Sequence, residues 1–169
     1  MPKIPSVYLD GHIVKLVHDY KYLGVNISDV SKDDKDISNQ MRNLYSRGNC
    51  LIKHFRNCSD DVKTQLFKSY CNSFYCCHLW SSFNVESLRR IKVAYNRVFR
   101  ILMGLHHRIS ISQTFIDYGV NHFDIVFRKS ITGFMSRIEK SDNGIISVIV
   151  NSCFYTDSAL FKYWSKSIF

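Results

Sequence analysis

The residue period changes once along this chain, and that change confines the fold to a short β lead-in followed by helices. From Val7 to Ser28 apolar and polar residues tend to alternate, whereas from Ser31 onward apolar residues recur every three or four positions. The pivot is the stretch Tyr20-Lys21-Tyr22-Leu23-Gly24-Val25-Asn26-Ile27-Ser28. Read as one half-buried strand, it sends Leu23, Val25 and Ile27 to one face and Tyr22, Gly24, Asn26 and Ser28 to the other. Glycine weakens a strand interior, which leaves two readings for Gly24. It marks a bulge or tight packing point, or it marks a place where another backbone or a ligand comes close.

Upstream, Val7-Tyr8-Leu9 and the run His12 to Val17 flank Asp10-Gly11, a dipeptide suited to a two-residue type I′ turn because both positions tolerate positive φ. Met1 to Ser6 carries Pro2 and Pro5 and reads as an extended lead-in. Hairpin plus following strand make a three-stranded unit over residues 1–30. So small a sheet is marginal without a helix or larger sheet to cover it, which points to a neighbour upstream.

Residues 31–169 read as helical, so the expected fold is mainly α: an N-terminal β-hairpin with three short strands, then an antiparallel helical bundle. Ser31-Lys32-Asp33-Asp34 opens the first helix with acids where the macrodipole favours them. Ile37, Met41, Leu44, Leu51 and Phe55 form its apolar stripe, and it ends near Asn57. Ser59 caps a second helix, with Asp60 and Asp61 in its first turn, expected to run to about Trp80. Val62, Leu66, Phe67, Tyr70, Phe74, Tyr75 and Cys77 make it apolar on more than one face, a helix for the middle of a bundle.

The third helix, Val85 to about Leu105, separates into two arcs. Leu88, Ile91, Ala94, Tyr95, Val98, Ile101 and Leu102 share one; Arg89, Arg90, Lys92, Arg97 and Arg100 share the other. Gly104 supplies its left-handed end. Ser110 starts a short helix ended by Gly119, Asn121 begins another that breaks at Ser141-Asp142-Asn143-Gly144, and segments near 145–153 and 158–165 finish the chain.

Twenty-three Lys and Arg against fourteen Asp and Glu give a formal charge of +9, which favours an anionic partner if the cations cluster. On the third helix they do. Glu86 is the one acid nearby in sequence, and Arg108 follows in His106-His107-Arg108. Such an arc is either a solvated face or a surface for a polyanion backbone. The six cysteines follow no secretory framework and read as reduced thiols of an intracellular protein. Neither Cys76-Cys77-His78 nor His106-His107 has the paired spacing of a metal site, so no metal or cofactor is expected. Adjacent residues on a helix also diverge too far for a cysteine–histidine nucleophile pair. No apolar run, Ile145 to Val150 included, approaches a membrane span, and no membrane partner is expected.

The order of Val7-Tyr8-Leu9-Asp10-Gly11, Tyr20-Lys21-Tyr22-Leu23-Gly24-Val25, the Ile37 to Ile52 helix, Leu66-Phe67-Lys68-Ser69-Tyr70, Gly104-Leu105 and Arg108 to Phe115 resembles the end of the reverse transcriptase region of non-LTR retrotransposons. The resemblance implies a primer-grip strand from the palm, then a helical thumb that holds a primer-template duplex. Tyr22 and Gly24 would then lie near a primer 3′ end. The partner implied is an RNA/DNA duplex or hybrid, with a missing palm domain as a second partner. The family's polymerase centre needs an aromatic-Ala-Asp-Asp turn and a further aspartate for two divalent metals. Here Asp33-Asp34 and Asp60-Asp61 stand at helix starts instead, so no catalytic residue is assigned and no polymerisation is expected of the chain alone. Two function classes remain: non-specific nucleic-acid binding through Tyr22, Gly24, Arg89, Arg90, Lys92, Arg97, Arg100 and Arg108, or a helical module whose second helix or hairpin edge docks a protein.

Overall fold

Two hairpins precede the helices in the computed structural model, which describes residues 5, 7–29 and 32–168. The extended lead-in expected at Met1 to Ser6 falls outside the described residues except for Pro5, as does Ser31 at the expected helix start. Strands β1 (Tyr8–Leu9) and β2 (His12–Ile13) pair antiparallel, Tyr8 opposite Ile13. Asp10 and Gly11 between them take φ of 49° and 79°, the type I′ geometry expected of Asp-Gly.

The stretch from Tyr20 to Ser28 is not one strand. It folds on itself as β3 (Asp19–Tyr22) and β4 (Val25–Ser28), with Tyr22 opposite Val25 and Asp19 opposite Ser28. Leu23 and Gly24 form the turn at φ of 46° and 87°. A type I′ turn is usually announced by Asn-Gly or Asp-Gly, and leucine costs about 1–2 kcal/mol in the left-handed region. The alternation of Leu23, Val25 and Ile27 therefore continues through a reversal that no usual turn residue marks. The expected three-stranded unit is instead two separate two-stranded sheets.

The remainder is helical, as expected: α1 (Asp34–Phe55), α2 (Asp60–Cys71), a 3₁₀ turn (Cys77–Leu79), α3 (Val85–Met103), α4 (Ile111–Asp117), α5 (Phe123–Glu139), α6 (Gly144–Val150), α7 (Cys153–Asp157) and α8 (Ala159–Ile168). The first three run up, down and up. Asp33 at the head of α1 bonds the backbone just ahead of α3, and Gly48 in α1 faces Val98 in α3, so these two helices set out from the same end. A β-carbon on Gly48 would fall inside the van der Waals envelope of the Val98 methyls. Its absence lets the two helices close on one another.

In α2, Phe67 meets Phe99 and Tyr95, with ring centroids 4.8 and 5.1 Å apart, and Asn72 just beyond its end receives the Tyr95 hydroxyl. Phe74, Phe115 and Phe123 complete the cluster around Tyr95. Burying each of these rings is worth about 1.5–3 kcal/mol, so the crossing of α2, α3, α4 and α5 is a substantial part of the core beside the α1–α3 contact. Further along, Trp164 of α8 is buried and donates its indole N–H to the His78 carbonyl at 2.8 Å, tying the C-terminal helix to the 3₁₀ turn.

The second helix ends nine residues before the expected Trp80. No glycine or proline stops it; polar groups on α1 do. Arg47 donates to the Ser73 carbonyl at 3.1 Å and to its hydroxyl at 3.3 Å, Gln40 accepts the Tyr75 N–H at 3.3 Å, and Asp36 accepts the Trp80 indole N–H at 2.9 Å. These bonds replace the helical ladder and let Phe74, Cys77 and Trp80 all turn inward. Gly104, with φ of 66°, ends α3 as expected, the Leu105 N–H bonding the Arg100 carbonyl at 2.9 Å.

Candidate nucleic-acid interface

At the end where α1 and α3 begin, carboxylates act as structural clamps. Asp33 Oδ2 accepts the Ser81 and Ser82 N–H groups at 2.8 Å each, and Asp34 Oδ1 accepts that of Asn84 at 2.9 Å. The Ser87 hydroxyl, with the Asn84 N–H, holds the Asp34 carboxyl below the usual carboxylate range. Asp36 is 2% exposed, and besides Trp80 it accepts the Asn26 amide at 3.2 Å, which fastens the second hairpin to α1. The sequence places these acids at a helix start for the dipole; they also hold the loop before α3.

The cations of the first half of α3 are partnered, so its basic arc is not a row of free charges. Glu86 takes Arg89 at 2.7 Å and Arg90 at 3.7 Å, and Lys92 pairs with Asp124 of α5. A bidentate hydrogen bond from Arg89 holds the Glu86 carboxyl below its ordinary range. The apolar arc needs a correction. Ile101 is exposed, and Phe99, absent from the projected arc, is fully buried.

At the far end the arrangement differs. Arg97 and Arg108 are exposed and, among the described residues, neither has a carboxylate within ion-pair distance. Arg100 is turned inward on the loop after α3, donating to the carbonyls of His106 at 3.1 Å, His107 at 3.4 Å and Ile109 at 2.7 Å. It shapes the segment that presents Arg108. The His106 and His107 rings lie 4.1 Å apart on that segment, both exposed. Because α1 and α3 run the same way, the last turn of α1 arrives here with Lys53 and Arg56, both exposed. Sequence reading missed these two. Their signal was present as a basic helix end, but only the up-down-up course brings that end to the side of the bundle where α3 also finishes. Asp60 and Asp61 at the start of α2 and Asp117 at the end of α4 gather around Tyr118; Asp60 is engaged by Lys63 at 3.2 Å and the Tyr118 hydroxyl at 3.1 Å, and Asp117 by the Gln113 amide at 2.8 Å.

Tyr22 and Gly24 are not part of this cluster. Tyr22 is exposed on β3. Gly24 lies against Tyr75, whose ring carbon would be 3.1 Å from a β-carbon there, while the Tyr75 hydroxyl donates to the Leu23 carbonyl at 2.9 Å. The close approach that Gly24 permits is filled by a side chain of the same molecule. Beside it opens a polar cleft of about 450 Å³ lined by Gln40, Asn43, Arg47, Ser73 and Tyr75. Since Tyr75 also bonds Gln40, in the second turn of α1, the Gly24 turn lies toward the end where α1 begins, whereas Arg108 follows the end of α3. Along α3 alone, the interval from Arg89 to Arg100 is about 16 Å.

Burial pushes the Cys71 and Cys77 thiols up to about 11, which keeps both protonated at neutral pH; Cys50 and Cys153 are exposed. Among the described residues no three His, Cys, Asp or Glu side chains converge as a metal site, and no helix is long and apolar enough to cross a membrane. Comparison with protein-family models, with characterised proteins and with solved structures finds no match for this chain.

Proposed function

We propose that this chain binds nucleic acid through backbone phosphates, without sequence preference, as a thumb-like piece of a non-LTR retrotransposon reverse transcriptase. The observation that carries the reading is the exposure of Lys53 and Arg56 where α1 ends and of Arg97 and Arg108 in the last part of α3 and the loop after it, two parallel helices whose closing turns the Gly48–Val98 contact brings to the same side of the bundle. Cations gathered in this way repel one another, and a polyanion relieves that repulsion while releasing its own counterions. The Arg100 bonds to three loop carbonyls support the same reading, because they fix the loop carrying Arg108 before any partner arrives. Arg89, Arg90 and Lys92 have a smaller part, since their carboxylate partners already offset much of their charge.

Fluorescence anisotropy with a labelled RNA–DNA hybrid tests the proposal. Four phosphate contacts give a log–log salt dependence with a slope of about −3 to −4, and unrelated sequences of equal length should bind equally well. No binding at low ionic strength would sink it.

A protein-interaction role is the second reading, favoured by the first hairpin. Leu9 and Ile13 in its strands, with Val7 and Leu16 beside them, are all exposed although apolar. A partner that supplies the covering sheet, as a palm would, accounts for that exposure.

A further inference from the structure

A second unpartnered surface lies at the other extremity of the chain. Helices α5 to α8 enclose a groove of about 520 Å³, walled by Phe134 and Ile138 of α5, Ile146 and Ile149 of α6, Phe154 of α7 and Leu160 of α8. Its rim is more exposed than its floor. Ile145 is 74% exposed, Val148 72% and Phe154 80%. Together with Ile149 these side chains leave on the order of 500 Å² of largely apolar surface in water, as large as the biggest patch on a typical monomer.

Charge narrows the choice of occupant. From Gly144 to Ser158 the one charged residue is Asp157, and it is paired with Lys162 at 3.2 Å. On the α5 wall Arg137 stands over the Phe134 ring at 5.7 Å, while the α6–α7 side of this face, on a chain of formal charge +9, neither attracts a polyanion nor repels a second copy. It also carries both halves of a match, a projecting aromatic ring and a groove beside it. A two-fold axis turns such a pair into two identical contacts. Wholly covered, the four rim side chains would supply more than half of the ~800 Å² that each partner buries in a stable interface, and the other groove walls add to it.

We propose that this face is where two copies of the chain associate, Phe154 of each seated in the groove of the other. Sedimentation velocity from low to high micromolar concentration, in high salt to suppress charge repulsion, reads the outcome. The expected result is a monomer–dimer equilibrium that Val148→Glu and Phe154→Ser each weaken roughly tenfold or more. Both residues are exposed, so the melting temperature of the dissociated chain should hold; a variant that melts early is replaced by Ile145→Ser. A chain that stays monomeric throughout overturns the proposal, also where a hydrophobic dye fills the groove. So does a dimer insensitive to these variants but dispersed by Leu9→Ser with Ile13→Ser, which would place the contact on the first hairpin.

Discussion

The two ends of the three-helix unit are built from similar residues and put them to different uses. Where α1 and α3 begin, the acids are occupied within the molecule. Asp33, Asp34 and Asp36 hold the backbone and indole of residues 80–84, and Glu86 holds Arg89 and Arg90. Where the same helices finish, Arg100 and Asp60 serve the fold, and Lys53, Arg56, Arg97 and Arg108 stand in solvent. A cation count along the sequence treats the two groups alike. Their partners separate a structural end from an end available to a ligand.

Four perturbations probe that contrast. The largest effect is expected from Asp36→Ala, which leaves the buried Trp80 indole and the Asn26 amide without an acceptor. It should cost about 2–4 kcal/mol in urea unfolding, and a loss under about 1 kcal/mol would mean that the beginning of the bundle is not held as described. Gly48→Ala drives a methyl into Val98, in the second half of both helices, and should cost about 1–3 kcal/mol. Combining it with Val98→Ala should recover part of the loss, a coupling visible in a double-mutant cycle. Leu23→Asn relieves the left-handed leucine and should stabilise the chain by about 0.5–1 kcal/mol, since asparagine tolerates that geometry. At the other extreme, Arg97→Gln with Arg108→Gln should leave stability within about 0.5 kcal/mol of the parent, because neither side chain has a partner to lose.

Stability should also depend on pH through His78. Its ring stacks on Phe134 with centroids 4.1 Å apart, and burial, with Arg137 nearby, lowers its pKa below the ordinary 6.5. The unfolded chain therefore takes up the proton first. The stabilisation is complete above about pH 6.5 and is lost as the pH falls through the window between the unfolded and folded values. Urea midpoints followed from pH 7.5 to 5 should decline, and the His78→Phe variant should decline less.

Much of the helical plan was legible because it rests on period and capping. Gly104, Gly119 and Ser110 mark ends and starts by their own chemistry, and Ile37, Leu44 and Leu51 fall on the buried side of α1 as spacing requires. The failures have a common cause in bonds between residues distant in sequence. The early end of α2 depends on Gln40 and Arg47 reaching across to Tyr75 and Ser73, and no local signal announces that. The turn at Leu23-Gly24 is supported by the Tyr75 hydroxyl, fifty-two residues away. For the candidate interface, the basic arc of α3 was visible, but its division into paired and free cations depends on Glu86 for Arg89 and Arg90, on Asp124 for Lys92 and on the direction in which α1 runs.

The most direct test compares salt dependence for two double variants against the same RNA–DNA hybrid. If the far end is the contact surface, Arg97→Gln with Arg108→Gln lowers the log–log slope by about 1.8, while Arg89→Gln with Arg90→Gln changes it by less than about 0.5. Equal losses from the two, or the larger loss from the Arg89 and Arg90 pair, would contradict the division of the bundle into a structural end and a binding end.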